Sequence, residues 1–183
     1  MARGATPIRI AAIGDSITAG SPWDDDETIG WPAAAAAADP RLRFIVRAAH
    51  GRRTDEIATW LDDAAAGVEA LVVQGGINDL AQGRPIAAAA ANLGSMIRRG
   101  QALGLRVAVA NLLPWNNGWP DAEQPIRELN ASIDALGVPV LPFHETLEDP
   151  ARPGRMREAW TSDGDHPSVE GYRRLGELAF VVP

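Results

Sequence analysis

Five short apolar runs divide this chain: Ile8 to Ile13, Phe44 to Arg47, Ala70 to Gln74, Val107 to Asn111 and Val138 to Leu141. They are too short and too evenly apolar to be amphipathic helices, and they suit strands covered on both faces. The stretches between them, Trp31 to Ala38, Thr54 to Ala66, Pro85 to Leu103 and Ala122 to Leu136, have helix-forming composition. The third opens on a proline and closes at Gly104, as helices commonly do. A last helix runs from Ser168 to about Phe180. Strands alternating with helices predict βαβ units, hence an α/β fold around a parallel sheet. Five strands with their crossovers use up 183 residues, so one domain spanning 1–183 is expected. The Ala33 to Ala38 tract is explained as helix, and no internal repeat or linker is visible.

Composition removes several chemistries. There is no cysteine, which excludes disulfides, thiolate-bound zinc and a cysteine nucleophile. Every basic side chain is an arginine, so a Schiff-base lysine and the phosphate-binding lysine of a P-loop are also absent. The net charge of −7 and pI of about 4.9 give no footprint for nucleic acid. No apolar run approaches the roughly 18 residues of a membrane span, and the N-terminus lacks a signal-peptide core. A cytoplasmic protein with no stable membrane association is the expectation. Serine, histidine and carboxylates remain for catalysis.

In an open parallel sheet, ligands bind at the carboxyl ends of the strands. There the chain carries Gly14-Asp15-Ser16 after the first run, His50-Gly51 after the second and Gly75-Gly76-Ile77-Asn78-Asp79 after the third. Near its end, Asp163-Gly164-Asp165-His166-Pro167 offers a carboxylate three residues before an imidazole. A serine hydroxyl is a poor nucleophile until a base takes its proton, and the base works best when a carboxylate fixes its tautomer. Ser16 can supply the nucleophile and His166 the base. The Gly51 N–H and the Asn78 amide can supply donors for an oxyanion.

These residues resemble the motifs of the SGNH (GDSL-type) hydrolases. Gly14-Asp15-Ser16-Ile17 looks like the first block, with Ile in the usual Leu position. Gly51 falls at the glycine of the second, Gly76-Ile77-Asn78-Asp79 matches Gly-x-Asn-Asp, and Asp163-x-x-His166-Pro167 matches the last. Gly30-Trp31-Pro32 and Gly171-Tyr172 extend the similarity over nearly the whole chain. The second block departs from the pattern: relatives often read Asn-x-Gly-x-Ser-Gly where this chain reads Val46-Arg47-Ala48-Ala49-His50-Gly51, and an alignment on Arg52 competes. The resemblance implies a three-layer α/β/α sandwich with a five-stranded, flavodoxin-like parallel sheet, and an ester hydrolase that needs no metal or organic cofactor. It implies Ser16 as nucleophile, His166 as base and Asp163 as its orienting acid. The oxyanion hole would comprise the N–H groups of Ser16 and Gly51 and the Asn78 side chain.

The remaining residues are weighed against plainer roles. Asp165 adjoins His166, but neighbours in sequence tend to point apart, so Asp163 is the expected partner and Asp165 a solvated one. His50, His144 and His166 lack the close spacing of helix-borne metal ligands, so no metal site is expected. Asp15, His50, Arg52, Trp115 and Trp119 are the candidate substrate contacts. The Trp115 to Pro120 segment either covers the core or forms an aromatic wall for an acyl chain, aryl group or sugar. Asp24 to Glu27 reads as a solvated loop that would weakly repel anions if it overhung the cleft. The expected substrate is a small or neutral carboxylic ester, including acetylated sugars. Thioester or lysophospholipid hydrolysis and acyl transfer to an alcohol would use the same machinery, and a non-catalytic ligand-binding domain is the reading from a different class.

Overall fold

The computed structural model describes residues 6–20 and 30–178. The Asp24 to Glu27 loop and the predicted end of the last helix at Phe180 lie outside them. Five parallel strands form one sheet in the order β2-β1-β3-β4-β5: β1 (Ile8–Gly14), β2 (Leu42–Ala48), β3 (Ala70–Val73), β4 (Arg106–Ala110) and β5 (Val140–Leu141). The flanking helices are α1 (Ser16–Ala19), α2 (Trp31–Ala38), α3 (Thr54–Ala58), α4 (Leu61–Ala64), α5 (Ile77–Ala81), α6 (Ile86–Ala102), α7 (Glu123–Asp134), α8 (Phe143–Leu147) and α9 (Val169–Glu177). A small antiparallel pair, β6 (Glu148–Asp149) and β7 (Arg152–Met156), lies beyond β5. The order is the flavodoxin-like one.

The period-2 geometry of a strand divides the apolar residues between two layers. Ala11, Ile13, Leu71, Val73, Val107 and Val109 face Ile57 of α3, Leu61 of α4, Leu93 and Met96 of α6, and Ile126, Leu129 and Ile133 of α7. On the other face Ala12, Ala70, Ala108 and Ala110 are small, which leaves room for Trp31 of α2, Phe143 of α8 and Tyr172 of α9. Trp31 packs edge-on against Phe44 and Phe143, with ring centroids 5.5 and 5.7 Å away. β3 is buried throughout and β1 from Ile10 onward, which is why these strands read as continuous apolar runs.

Local chemistry explains where elements depart from the sequence expectation. The predicted helix over Thr54 to Ala66 is two helices, because the Thr59 hydroxyl donates to the Glu56 carbonyl at 2.6 Å and competes with the helical ladder. β5 begins at Val140 rather than Val138. Pro139, which has no N–H, contributes only its carbonyl, accepting from Val109 N–H at 3.1 Å. β2 is longer than expected at both ends, running as an edge strand along the whole of β1.

Candidate active site

Strand order reverses between β1 and β3, so their connections diverge and leave a crevice at their carboxyl ends. Ser16 enters it at the first turn of α1. Asp15 caps that turn, its Oδ1 accepting from Ile17 N–H at 3.0 Å. Gln74, just past β3, fixes the same elbow: its Oε1 accepts from the Asp15 N–H at 3.2 Å and the Thr18 hydroxyl at 2.8 Å. Thr18 Oγ1 in turn accepts from the Trp31 indole at 3.2 Å. The fold therefore holds Ser16 on a short, buried strand-to-helix turn fixed by Gln74 and Thr18.

His166 arrives from the other end of the chain. Its Nε2 lies 3.1 Å from Ser16 Oγ and its Nδ1 2.8 Å from Asp163 Oδ2. The second oxygen of Asp163 accepts from the backbone N–H groups of His166 at 2.7 Å and Asp165 at 2.8 Å. One carboxylate thus shapes the turn and orients the imidazole. Burial works against the charge on Asp163, but the hydrogen bonds from the His166 ring and the two N–H groups outweigh it and hold the carboxyl below its ordinary range. The Thr161 hydroxyl ties the base of the loop, donating to the His166 carbonyl and accepting from Gly164 N–H, each at 2.8 Å.

Of the predicted oxyanion donors, Ser16 and Asn78 line the cleft, whereas Gly51 is exposed and is not among its lining residues. Asn78, on α5, lines the same cleft as Ser16 and His166. One of its N–H groups donates to the Arg52 carbonyl at 3.1 Å, leaving the other for a ligand. Gln82 donates to the Gly51 carbonyl at 3.2 Å and accepts from Arg53 at 2.9 Å, so Asn78 on α5 and Gln82 just past its end both brace the Gly51 turn. Asp79 adds a third brace, accepting from the Thr54 N–H at 2.9 Å and hydroxyl at 2.7 Å.

Several expectations are corrected. Asp165 is half-buried rather than freely solvated: it lines the cleft and accepts from the Trp115 indole N–H at 2.5 Å. Asp15 is not a substrate contact, being fully buried beneath Ser16. Arg52 offers its carbonyl to Asn78 and its guanidinium to Glu56 at 2.8 Å, and it does not line the cleft. Trp115 does line it, whereas Trp119 stands outside, 42% exposed, with its ring edge-on to Trp115 at 5.5 Å. His50 is exposed, its ring 6.0 Å from that of His166 at the site's margin. His144 lies buried elsewhere, near Glu123 and Glu148.

Residues that carried no motif complete the site. Asn117 donates to the Asp163 carbonyl at 2.6 Å, and Gly164 sits against it at φ +88°, where a Cβ would fall 2.7 Å from the Asn117 Nδ2. Asn116 holds β7, donating to the Met156 carbonyl at 3.1 Å and accepting from its N–H at 2.7 Å. Ile17, Ile77, Ala81, Leu112, Leu113 and Pro114 make the wall of the cleft predominantly apolar.

The family model for GDSL-like lipases and acylhydrolases matches residues 12–174, and the chain belongs to that family. It is an ester hydrolase in the general sense that the family defines. Solved structures share the fold. A GDSL-like lipase from Bacteroides thetaiotaomicron superposes with a TM-score of 0.78 at 22% identity, over 93% of this chain and 84% of its own. A member of the lipolytic G-D-S-L family from Veillonella parvula gives 0.79 at 20% identity, over 92% and 94%. A lipase/acylhydrolase from Enterococcus faecalis gives 0.72 at 22%, over 93% and 92%. No curated protein sequence matches the chain significantly.

Proposed function

We propose that the protein is a serine hydrolase of neutral carboxylic esters, working through an acyl-enzyme on Ser16. The observation that carries this reading is the position of His166, within hydrogen-bond reach of Ser16 Oγ on one side and Asp163 on the other. His166 takes the Ser16 proton as Oγ attacks the ester carbonyl. The resulting oxyanion is held by the N–H groups of Ser16 and Gly51 and the free N–H of Asn78. Neither backbone N–H donates to a protein acceptor among the described residues. The imidazolium then protonates the departing alcohol, and a water activated by the same imidazole releases the acid. Asp163 fixes the tautomer throughout.

The apolar wall favours an uncharged acyl or alkyl group, and Ser16, Gln74, Asn78, Asp165 and His166 are polar groups beside it. An acyl group of modest size, acetylated sugars included, suits a cleft that Trp115 and Pro114 border on one side. The test is kcat/KM across acetyl, butyryl and octanoyl p-nitrophenyl esters, acetylated sugars and an acyl thioester. Highest values with the acetyl or butyryl oxygen esters support the proposal. A preference of tenfold or more for octanoyl or thioester substrates overturns it in favour of a long-chain acylhydrolase or thioesterase.

A further inference from the structure

Away from the cleft, α7, α8 and β6 bring Glu123, His144 and Glu148 together, one ligand-type atom from each within 4.8 Å of the others. Among the described residues this is the one cluster of its kind. The His144 side chain is only 2% exposed and its Nε2 has no hydrogen-bond partner, nor has Glu123 Oε2, while Glu123 Oε1 is met only by Arg127. His144 Nε2 lies 3.7 Å from Glu123 Oε1, and its Nδ1 lies 4.0 Å from Glu148 Oε2, both beyond hydrogen-bond length. Buried polar atoms are almost always paired, so two unpaired in one place need an explanation.

The surroundings hold these groups in position. His144 N–H donates to Asn111 Oδ1 at 2.8 Å, and Glu148 Oε1 accepts from Gly154 N–H at 2.7 Å. Gly154 has φ +82°, and a Cβ there would fall 2.7 Å from Glu123 Cδ, so the hairpin backbone closes directly on the carboxylate. Arg127 is the neighbouring cation. Its Nε meets Glu123 Oε1 and a terminal nitrogen meets Glu148 Oε1 at 2.7 Å, while the side chain is half exposed.

We propose that Glu123, His144 and Glu148 form a binding site for a divalent transition-metal ion of the zinc class. One imidazole nitrogen with two carboxylate oxygens is a donor set such ions accept, whereas magnesium and calcium favour oxygen alone. Metal–ligand bonds of about 2.0–2.2 Å would place tetrahedral donors roughly 3.3–3.5 Å apart. The 3.7 Å separation of His144 Nε2 and Glu123 Oε1 is close to that. None of the three residues lines the cleft. The ion's place is structural, clamping β6 and β7 onto α7, where Asn116 also holds β7. Arg127 competes for the same carboxylates and must swing toward solvent when the ion enters, so its removal should strengthen binding.

The experiment titrates chelator-treated full-length protein with Co²⁺, followed by its visible absorption, and with Zn²⁺ by calorimetry. The site predicts one bound ion per chain and binding at least about tenfold tighter in Arg127→Gln. Glu123→Gln and Glu148→Gln should each lose at least about tenfold, a scale at which even supporting residues around metal ligands register. Near-ultraviolet circular dichroism and retained ester hydrolysis verify folding, and either glutamine variant carries the test if the other does not fold. Two results overturn the proposal. One is the absence of saturable binding in both wild type and Arg127→Gln, which makes the cluster an ion-pair network. The other is binding unchanged in the glutamine variants, which places the ion elsewhere, as at His50 and His166.

Discussion

Replacing Asp15 with asparagine should stabilise the protein at neutral pH and do little at acid pH. Asp15 is fully buried, and that desolvation raises its pKa from the ordinary 3.8 to about 6, against opposing contributions from the Ile17 N–H, Gln74 and His166. Its Oδ2 has no hydrogen-bond partner. The folded chain therefore holds the Asp15 proton more tightly than the unfolded chain does. Stability from this group is fully present below about pH 4 and is lost as pH rises through about 6. Above that, the ionised carboxylate costs the fold on the order of 3 kcal/mol. Asparagine keeps an oxygen for the Ile17 N–H and carries no charge, so Asp15→Asn removes the cost without removing the cap. At roughly 2–4 °C per kcal/mol for a chain of this size, its Tm should exceed wild type by roughly 6–12 °C at pH 8. The gap should close toward pH 4. Thermal unfolding of both proteins from pH 4 to 8 is the assay, and other titrating groups cancel in the difference. A gap independent of pH, or one that widens on acidification, would refute the reasoning.

Two further outcomes follow from the site. Asn78→Ala should lower kcat by roughly 10²- to 10³-fold, the scale of one lost oxyanion donor, with a much smaller change in KM; steady-state kinetics on a short ester checks this. Gly164→Ala should cost about 1–2 kcal/mol from its positive φ and force Asn117 off the Asp163 carbonyl. It should therefore lower both Tm and kcat/KM, whereas unchanged kinetics would separate Asn117 from the His166 loop.

The sheet was legible because β1, β3 and β4 are buried on both faces and read as unbroken apolar runs. The meeting of Ser16 with Asp163 and His166, and with Asn78 in one cleft, was legible because acyl transfer needs those residue types, here placed after two strands and just before the last helix. What the sequence concealed is held by single long-range hydrogen bonds. Gln74 is a polar residue ending a buried strand, and nothing local reveals that it clamps the Asp15 elbow. Trp115 lies 50 residues from Asp165, and Asn117 lies 46 from Asp163. The four- and five-residue helices α1 and α5 are too short to show a period, and β7 contains Pro153 and Gly154, which read as loop. The split after Ala58 turned on one threonine hydroxyl, a competition that composition does not register.

The central claim is that Ser16, aligned by His166, is the atom that becomes acylated. Treating the protein with a fluorophosphonate, weighing it intact and mapping the modified peptide tests that claim most directly. The account predicts one adduct per chain, on Ser16, with loss of ester hydrolysis in step with labelling, and neither labelling nor hydrolysis in Ser16→Ala. Full labelling or undiminished hydrolysis in well-folded Ser16→Ala would contradict it and place the nucleophile elsewhere.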